Sequence, residues 1–530
     1  MAVRTNATNL LIDAGIGFTA LKHYGVNVRI PDLDAIRNEF DSFDALLLTH
    51  GHEDHIGATP FIVDLLDGPI YGSYLTLTLL EQKLNDHGID MKGRLIPVTP
   101  DSSLTIGDLK IEFIPVVHSI PGSVAILVRS PVGAIVHTGD FKFEHSLPGS
   151  ESEASISRLE EIGREGVLAV YSDSTNASIP GRSGSEVDLR ASLEHICEST
   201  PTRVFVTTFA SSIRRIQLLI DIAHKTGRSV IFVGHGIEQN VNIAERLGYI
   251  RIPVQTKQAH STNRDQLTKN VLCIVSGSQG EPLAALARIT ANEHRSISIE
   301  QNDTVVFSAR IIPGNELAVN QLKNHLARLG ARVIDNDLEA VHVSGHGGQD
   351  DLLKLMSLLK PKYLVPIHGD FRDLQHHATL AEANGITPLL ANNGDRICFN
   401  GSEAWLGNPI SIPASYIDDD LSILINKQVL RERRKLAKSG ILAIIFRIDP
   451  NTMRIEQAPR LITRGTSTEN RNKALEKGLA EAAQALLNSA LLVENSEPEE
   501  LFEMLMPNLK RLVKEHLECT PMILPVVLEE

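Results

Sequence analysis

Short apolar runs that end in polar turns dominate the first part of the chain. Asn9–Ile12 gives way to Asp13, Ala14 and Gly15, and residues 45–48 give way to Thr49, His50 and Gly51. Runs this short, bounded by turn residues, read as buried strands whose C-terminal ends present loops. Leu109–Pro115 and residues 124–128, 134–136 and 167–171 repeat the signal with few helical patterns between them. This region is therefore expected to be compact and rich in sheet. From Pro201 onward strands and helices alternate. Val204–Thr207 precedes a pattern in which Ile213, Ile216, Ile220 and Ala223 share one helix face, opened by Ser211 or Ser212 and closed by Gly227. Ser229–Val233, Val271–Val275 and Thr304–Phe307 are each followed by a helical pattern, the last carrying Val319, Leu322, Leu326 and Leu329 before Gly330. That alternation predicts a doubly wound parallel sheet.

A Pro-, Ser- and Asp-rich stretch at 412–420 reads as a linker. A basic run follows, in which Lys427, Arg431, Arg433, Arg434, Lys435 and Lys438 surround Glu432; such a run reads first as a solvated helix face. Beyond it lie strand candidates at 441–448 and 460–463, helical patterns near 469–490 and 498–517, and a closing apolar strand at 522–528. Together these make a small α+β domain. Pro507 is expected to kink the second of those helices or to mark its true start.

The chain has 530 residues, 42% of them hydrophobic and 22% charged. At about 150 residues per domain that length implies three or four domains, and the balance excludes disordered or rod-like classes. No apolar run reaches the roughly 18 residues of a membrane span, and residues 1–10 lack an apolar export segment, so no membrane partner is expected. Cys197, Cys273, Cys398 and Cys519 are widely spaced without a CxxC pattern, which points to a reducing cytoplasm. The net charge of -14 argues against a protein that coats nucleic acid through its overall field, so any such grip must be local.

The densest chemical signal is Thr49-His50-Gly51-His52-Glu53-Asp54-His55 at a strand end. Transition metals need several N and O donors converging at about 2.0–2.2 Å, and a tight turn supplies them together. Further candidates stand at other strand ends: His118 after 114–117, Asp140 after 135–139, and His368 after Tyr363–Ile367. Taken alone, His118 and Asp140 would read as structural; beside the cluster they read as ligands. His346 lies between Gly345 and Gly347-Gly348, too glycine-rich for a helix, and reads as part of a strand running into a loop. Gly234-His235-Gly236 and Ser276 to Gly280 end strands of the alternating region, where backbone N–H groups can form anion-binding nests.

His-x-His-x-Asp-His at 50–55, His118, Asp140 in His-Thr-Gly-Asp and the late His368 resemble the metallo-β-lactamase superfamily. The long stretch between Asp140 and His368 resembles its β-CASP branch, as do Ser172-Asp173-Ser174-Thr175-Asn176 and His342-Val343-Ser344-Gly345-His346. Thr208-Phe209-Ala210-Ser211, Ser276-Gly277-Ser278-Gln279-Gly280-Glu281-Pro282, Ile312-Pro313-Gly314-Asn315-Glu316 and Pro521-Met522-Ile523-Leu524-Pro525 are similar to the ribonuclease J family, from Asp13 to Glu530. The resemblance implies an α/β protein: a metallo-β-lactamase αββα sandwich (1–175 and 341–420), an inserted doubly wound β-CASP domain (176–340), a linker (421–435) and a small α+β C-terminal domain (436–530). It also implies two divalent ions, zinc or else manganese. His50, His52 and His118 would hold one, Asp54, His55 and His368 the other, and Asp140 would bridge, with Asp54 counted among the catalytic residues. His346 with Ser344 would contact the scissile phosphate, and Asp173 would orient the site, a turn-capping aspartate being the alternative reading of that residue. Gly234, His235, Ser276 and Gly277 would bind the RNA 5′ phosphate.

The implied function is a ribonuclease that cuts internally and from the 5′ end in RNA maturation and decay. RNA would be its partner, with self-association as a dimer or tetramer and contacts to other RNA-decay proteins. A non-catalytic subunit of an RNA-degrading complex and a β-CASP nuclease acting on DNA are the alternatives. Two departures stand out. The family's opening strand and Gly-Gly-x-x-Glu-Ile-Gly-x-Asn segment have no counterpart ahead of the region matching 1–13, so an upstream start or a missing first strand is expected. The family's Gly-Arg-Ser-Met is here Gly234-His235-Gly236-Ile237, which removes a permanent cation and a hydroxyl.

Overall fold

The apolar runs of the first part assemble into two sheets. One has five strands in the order Ala2–Arg4, Asn9–Ile12, Ala45–Leu47, Ile70–Gly72, Leu95–Pro97, parallel except for the first pair. The other has seven, ordered Thr387–Pro388, Tyr363–Ile367, Ala169–Asp173, Gly133–His137, Val124–Ser130, Leu109–Pro115, Ser103–Ile106. Its first four strands are parallel and the rest antiparallel. Leu109, Ile111 and Phe113 meet Leu10, Ile12, Ala45 and Leu47 between the sheets. Ile114, with Leu127, Val136 and Leu364, instead packs under Leu159, Ile162, Leu352 and Leu355 of the helices Glu151–Glu165 and Gln349–Leu359. A strand whose alternate side chains are apolar on both faces needs cover on both, and this layering provides it. The structure is a computed structural model and describes residues 1–100, 102–144, 151–256, 270–401, 403–418, 423–449, 454–455, 459–466, 477–478, 480–482, 484–485, 498–517 and 520–529.

Between Asp173 and Gln349 the chain leaves the sandwich and builds a parallel sheet. Its order is Ser229–Val233, Val271–Val275, Val204–Thr207, Thr304–Phe307, Arg332–Ile334. Leu193, Ile216, Leu219 and Val241 of the helices Arg190–Ser199, Ile213–Lys225 and His235–Arg246 cover one face. Leu286, Val319, Leu322 and Leu326 of the helices Ala285–Thr290 and Glu316–Arg328 cover the other. Every residue of Val204–Thr207 and Val271–Val275 is buried as a result, which is why those strands read as unbroken apolar runs. The C-terminal ends of these strands lie along one edge, where parallel sheets present binding loops.

The sandwich and the parallel sheet belong to one compact unit, Met1–Gly17 with Pro31–Pro413; the second is Phe18–Ile30 with Ala414–Glu530. In the second unit a four-stranded sheet runs Leu424–Ile425, Ala414–Ile417, Val26–Pro31, Gly17–Leu21. Ile441–Asp449 lies antiparallel to Arg454–Ile455 and Arg460–Arg464 and parallel to Met522–Glu529, with Leu442, Ile444 and Phe446 fully buried.

Several expectations need correction. Phe18–Ile30, expected within the first domain, groups with the C-terminal residues. The expected linker at 421–435 holds the strand Leu424–Ile425 and most of the helix Lys427–Ser439, anchored by buried Leu430. Residues 341–348 are irregular throughout, so His346 does not follow a strand. Pro507 stands inside the helix Pro498–Leu517 and does not begin it. The helix expected near 469–490 lies largely outside the described residues. Among the described residues no helix is long and apolar enough to cross a membrane.

Candidate metal centre

Strands of both sheets end together, and the residues just beyond them form the site. Ile12 is followed by Asp13, Leu47 by Thr49 and His50, Pro115 by His118, His137 by Asp140 and Ile367 by His368, while Asp173 closes its own strand. Asp13 and His368 turn back with φ of 57° and 55°, a left-handed conformation that Asp and His adopt more readily than most residues. His52 caps the one-turn helix Glu53–Ile56, which sets Asp54 and His55 beside it. The turn at Asp13 can approach that helix only because residue 15 is glycine: a Cβ there would lie 1.5 Å from the Asp54 carbonyl oxygen.

Two sets of donor atoms result, each gathered within 4.8 Å: His50, His52, His118 and Asp140, and Asp54, His55, Asp140 and His368. Asp140 is common to both. Its Oδ2 lies 3.6 Å from His50 Nε2, 3.7 Å from His118 Nε2 and 3.3 Å from His55 Nε2, and its Oδ1 lies 3.5 Å from His368 Nδ1. His52 Nδ1 faces His50 Nε2 at 3.0 Å and His118 Nε2 at 3.1 Å. Ring nitrogens converging like this present lone pairs to one another unless protons or a cation lie among them. His55 Nε2 and Asp140 Oδ1 are also buried without a hydrogen-bond partner, where buried polar atoms are normally satisfied. The residues present therefore fit a metal cation bound through nitrogen and oxygen.

The electrostatics agree. Burial holds His50 and His118 well below the ordinary histidine range and His52 down to about 4, so these rings are neutral and can offer lone pairs. For His55 and His368 burial acts in the same direction and is the largest single effect, but the carboxylates together outweigh it, Asp140 with Asp13 for the former and Asp140 with Asp173 and Asp54 for the latter, and both are raised. Asp140 is held well below the carboxylate range against its burial by His368, His55, His346 and His50. A pocket whose carboxylates draw protons onto buried imidazoles is one that favours positive charge, and a divalent ion is the stronger form of it.

Groups behind the ligands fix their orientation. Asp13 Oδ2 lies 2.8 Å from His55 Nδ1, and Asp13 accepts from the Thr49 amide at 2.8 Å and the Thr49 hydroxyl at 2.7 Å. His118 Nδ1 donates to the Gly345 carbonyl at 2.8 Å. A carboxylate or carbonyl behind an imidazole sets its tautomer and raises its basicity as a ligand. Asp13→Asn is accordingly expected to weaken metal binding by about 10–100-fold without unfolding the chain, as equilibrium dialysis against zinc would measure. The sequence pattern marks Asp13 only as a turn residue. The signal it carries is register, since Ile12 pairs with Leu47 and so brings Asp13 to the start of the histidine cluster.

Ser344, His346 and Asp173 come to the same place. His346 Nδ1 lies 2.8 Å from Asp173 Oδ2, and Asp173 Oδ1 accepts from the Thr175 amide at 3.0 Å and hydroxyl at 2.8 Å. Asp140, Asp173, His346 and His368 also satisfy the donor spacing for a cation, but the short Nδ1 approach makes His346 and Asp173 a hydrogen-bonded pair. Burial disfavours charge on His346, yet the Asp173 and Asp140 carboxylates raise it above the ordinary range. Asn176, buried, donates to Ser344 Oγ and to the His346 carbonyl, both at 2.9 Å, and accepts from Arg310 Nη1 at 2.9 Å. Gln279 Nε2 donates to the Arg310 carbonyl at 2.9 Å. A continuous chain of bonds thus joins the loop after Val275 to His346, through Gln279 and Arg310, whose parts in it the sequence does not mark. Gly234, Ser276 and Gly277 meet at the edge of the parallel sheet: a Cβ on Gly234 would lie 2.2 Å from Ser276 Oγ. His235 stands exposed on the first turn of its helix, and no hydrogen bond or ring contact joins it to that cluster among the described residues.

Residues 8–154 match the beta-lactamase superfamily domain, 201–326 the ribonuclease J beta-CASP domain, 331–391 the Zn-dependent metallo-hydrolase RNA specificity domain, and 428–530 the ribonuclease J C-terminal domain. Fold and donor set together define a metallo-hydrolase with a metallo-β-lactamase domain, a β-CASP insertion and a C-terminal domain. The chain is 35% identical over 525 residues to ribonuclease J 1 of Streptococcus pyogenes, covering 98% of this chain and 93% of that protein. It is 34% identical over 522 residues to ribonuclease J2 of Bacillus subtilis, covering 98% and 94%, and 34% identical over 523 residues to ribonuclease J of Corynebacterium glutamicum, covering 98% and 72%. It belongs to the ribonuclease J family. The crystal structure of a protein of unknown function from Enterococcus faecalis V583 has the same fold over 76% of this chain and 95% of its own, with a TM-score of 0.53 at 17% identity.

Proposed function

We propose that this chain hydrolyses RNA phosphodiesters at a centre of two divalent ions, cutting internally and from the 5′ end in RNA maturation and decay. The observation that carries this reading is Asp140, buried and shared between two complete donor sets, with the His346–Asp173 pair at its side. His50, His52 and His118 would hold one ion and Asp54, His55 and His368 the other, and donors without thiolate suit zinc or manganese. When bound, the ions supply Lewis acidity toward water and the phosphoryl oxygens. The protein's own part is to orient and to move a proton. Thr175 and Asn176 fix Asp173 and the 344–346 turn, so that His346, kept protonatable by Asp173, faces the scissile phosphate and can donate to the departing oxygen. Gly234, Ser276 and Gly277 would seat a terminal phosphate on backbone amides, with His235 at the rim.

The test combines metal analysis of the purified protein with cleavage of end-labelled RNA and DNA. About two zinc or manganese ions per chain and metal-dependent cleavage of RNA are expected. Preference for DNA, or bound metal with no cleavage of either, would favour a DNA nuclease or a non-catalytic subunit and overturn the reading. Self-association is a further expectation. Met522–Glu529 pairs on one edge with Ile441–Asp449, and Leu524 and Leu528 are exposed on it. Light scattering should find a dimer or larger, and Leu524→Glu should shift it toward monomer.

A further inference from the structure

The helix Lys427–Ser439 carries a feature that the metal centre does not use. Lys427, Arg431, Arg434 and Lys438 are all exposed and recur at spacings of four, three and four. At 3.6 residues per turn they fall within about 60° of arc and extend along roughly 16 Å of helix. The rest of the helix is held by its own unit. Leu430 is buried, and Arg433 donates to the Tyr24 carbonyl at 3.1 Å and pairs with Asp418. The helix's acid, Glu432, accepts from Gln428 at 3.0 Å and does not neutralise the stripe. Among the described residues no carboxylate pairs with any of the four cations.

A solvated helix does not need this arrangement. Exposed faces normally interleave the two signs, and like charges at i, i+4 disfavour the helix. Lys427 moreover occupies the first helical position, where the dipole disfavours a cation. The sequence nevertheless sets Lys427 against Arg431 and Arg434 against Lys438, in a chain whose net charge is -14. Arg434 lies 5.9 Å from the Tyr24 ring centre, which joins an aromatic surface to the cationic one. Cations in line with an aromatic platform match a nucleic-acid strand, whose phosphates repeat along one edge and whose bases stack.

We propose that the Lys427, Arg431, Arg434, Lys438 face, with Tyr24, is a seat for the RNA backbone, separate from the metal ligands and indifferent to sequence. The choice of RNA over another polyanion rests on the ribonuclease reading above. The test uses the full chain in EDTA, so that a 20-nucleotide labelled single-stranded RNA is bound but not cut, with anisotropy measured across salt concentrations. For K427Q/R431Q/R434Q/K438Q, affinity at low salt should fall at least tenfold and the slope of log K against log salt should shrink by about 2–3, near 0.7 for each phosphate no longer neutralised. The charge-keeping variant K427R/R431K/R434K/K438R should bind as the wild type does, which separates lost charge from lost folding. Unchanged affinity and slope in the glutamine variant would overturn the seat. So would a loss confined to phosphatidylglycerol vesicles or to a polyglutamate peptide, with RNA affinity kept. A wild type that binds RNA through these residues but cleaves none with any metal would instead sink the nuclease reading and leave the seat standing.

Discussion

Asp140→Asn is expected to strip metal from both donor sets and to slow RNA cleavage by more than about 10²–10³-fold, the loss that follows removal of even one charge-stabilising group. Asp140 is 2% exposed, and imidazoles from His50, His55, His118 and His368 all face its two oxygens. The substitution keeps the shape and removes the charge. It leaves the buried rings of His50, His55 and His118 and the half-buried ring of His368 around a neutral amide whose NH₂ offers no lone pair. Since Asp140 is the chief group raising His55 and His368, the pocket's preference for positive charge collapses with it. His52→Ala is the informative contrast, because His52 belongs to one set; about one ion per chain should remain. Mass-spectrometric metal counts after dialysis, with circular dichroism to confirm folding, decide between these outcomes. Normal metal content in Asp140→Asn would show that the two sets do not share this residue.

How much of this is legible in the sequence depends on where each signal lies. His50, His52, Asp54 and His55 lie within six residues, and His118, Asp140 and His368 each follow a buried strand, so local pattern suffices. Asp13, Arg310 and Gln279 act through parallel register or across the inserted domain, in Asp13 to His55 and Arg310 to Asn176, and no local pattern marks them. The strands Val204–Thr207, Val271–Val275 and Thr304–Phe307 are legible to the residue because both faces of their sheet are covered. Phe18–Ile30 escapes such reading because its strands are half exposed, with Val26 and Ile30 buried, and because the strand beside Val26–Pro31 is Ala414–Ile417, far along the chain. Lys427–Ser439 passes for a linker for a related reason: Leu430 is its buried residue, so its helical period is written in charges.

His346→Asn is expected to slow cleavage by about 10²–10⁴-fold, the range for a lost general acid, with metal content unchanged. Asp173→Asn should act through His346. Burial lowers the affinity of His346 for a proton, and the Asp173 carboxylate, at 2.8 Å, does most to restore it. Ions bound at Asp140 would oppose that rise, which leaves Asp173 as the group that keeps the ring protonatable. A group raised in this way stays charged up to a higher pH, so the acid form survives through neutrality. Without the Asp173 charge the proton leaves at lower pH, and the alkaline limb of kcat should move down, so the variant loses more of its rate at pH 8 than at pH 6. An amide at 173 can still accept from Thr175, so the local turn is kept. If the two residues form one device, the double variant should be no slower than His346→Asn alone. Multiplied losses, or an alkaline limb that does not move in Asp173→Asn, would separate them and return Asp173 to the role of a turn-capping residue.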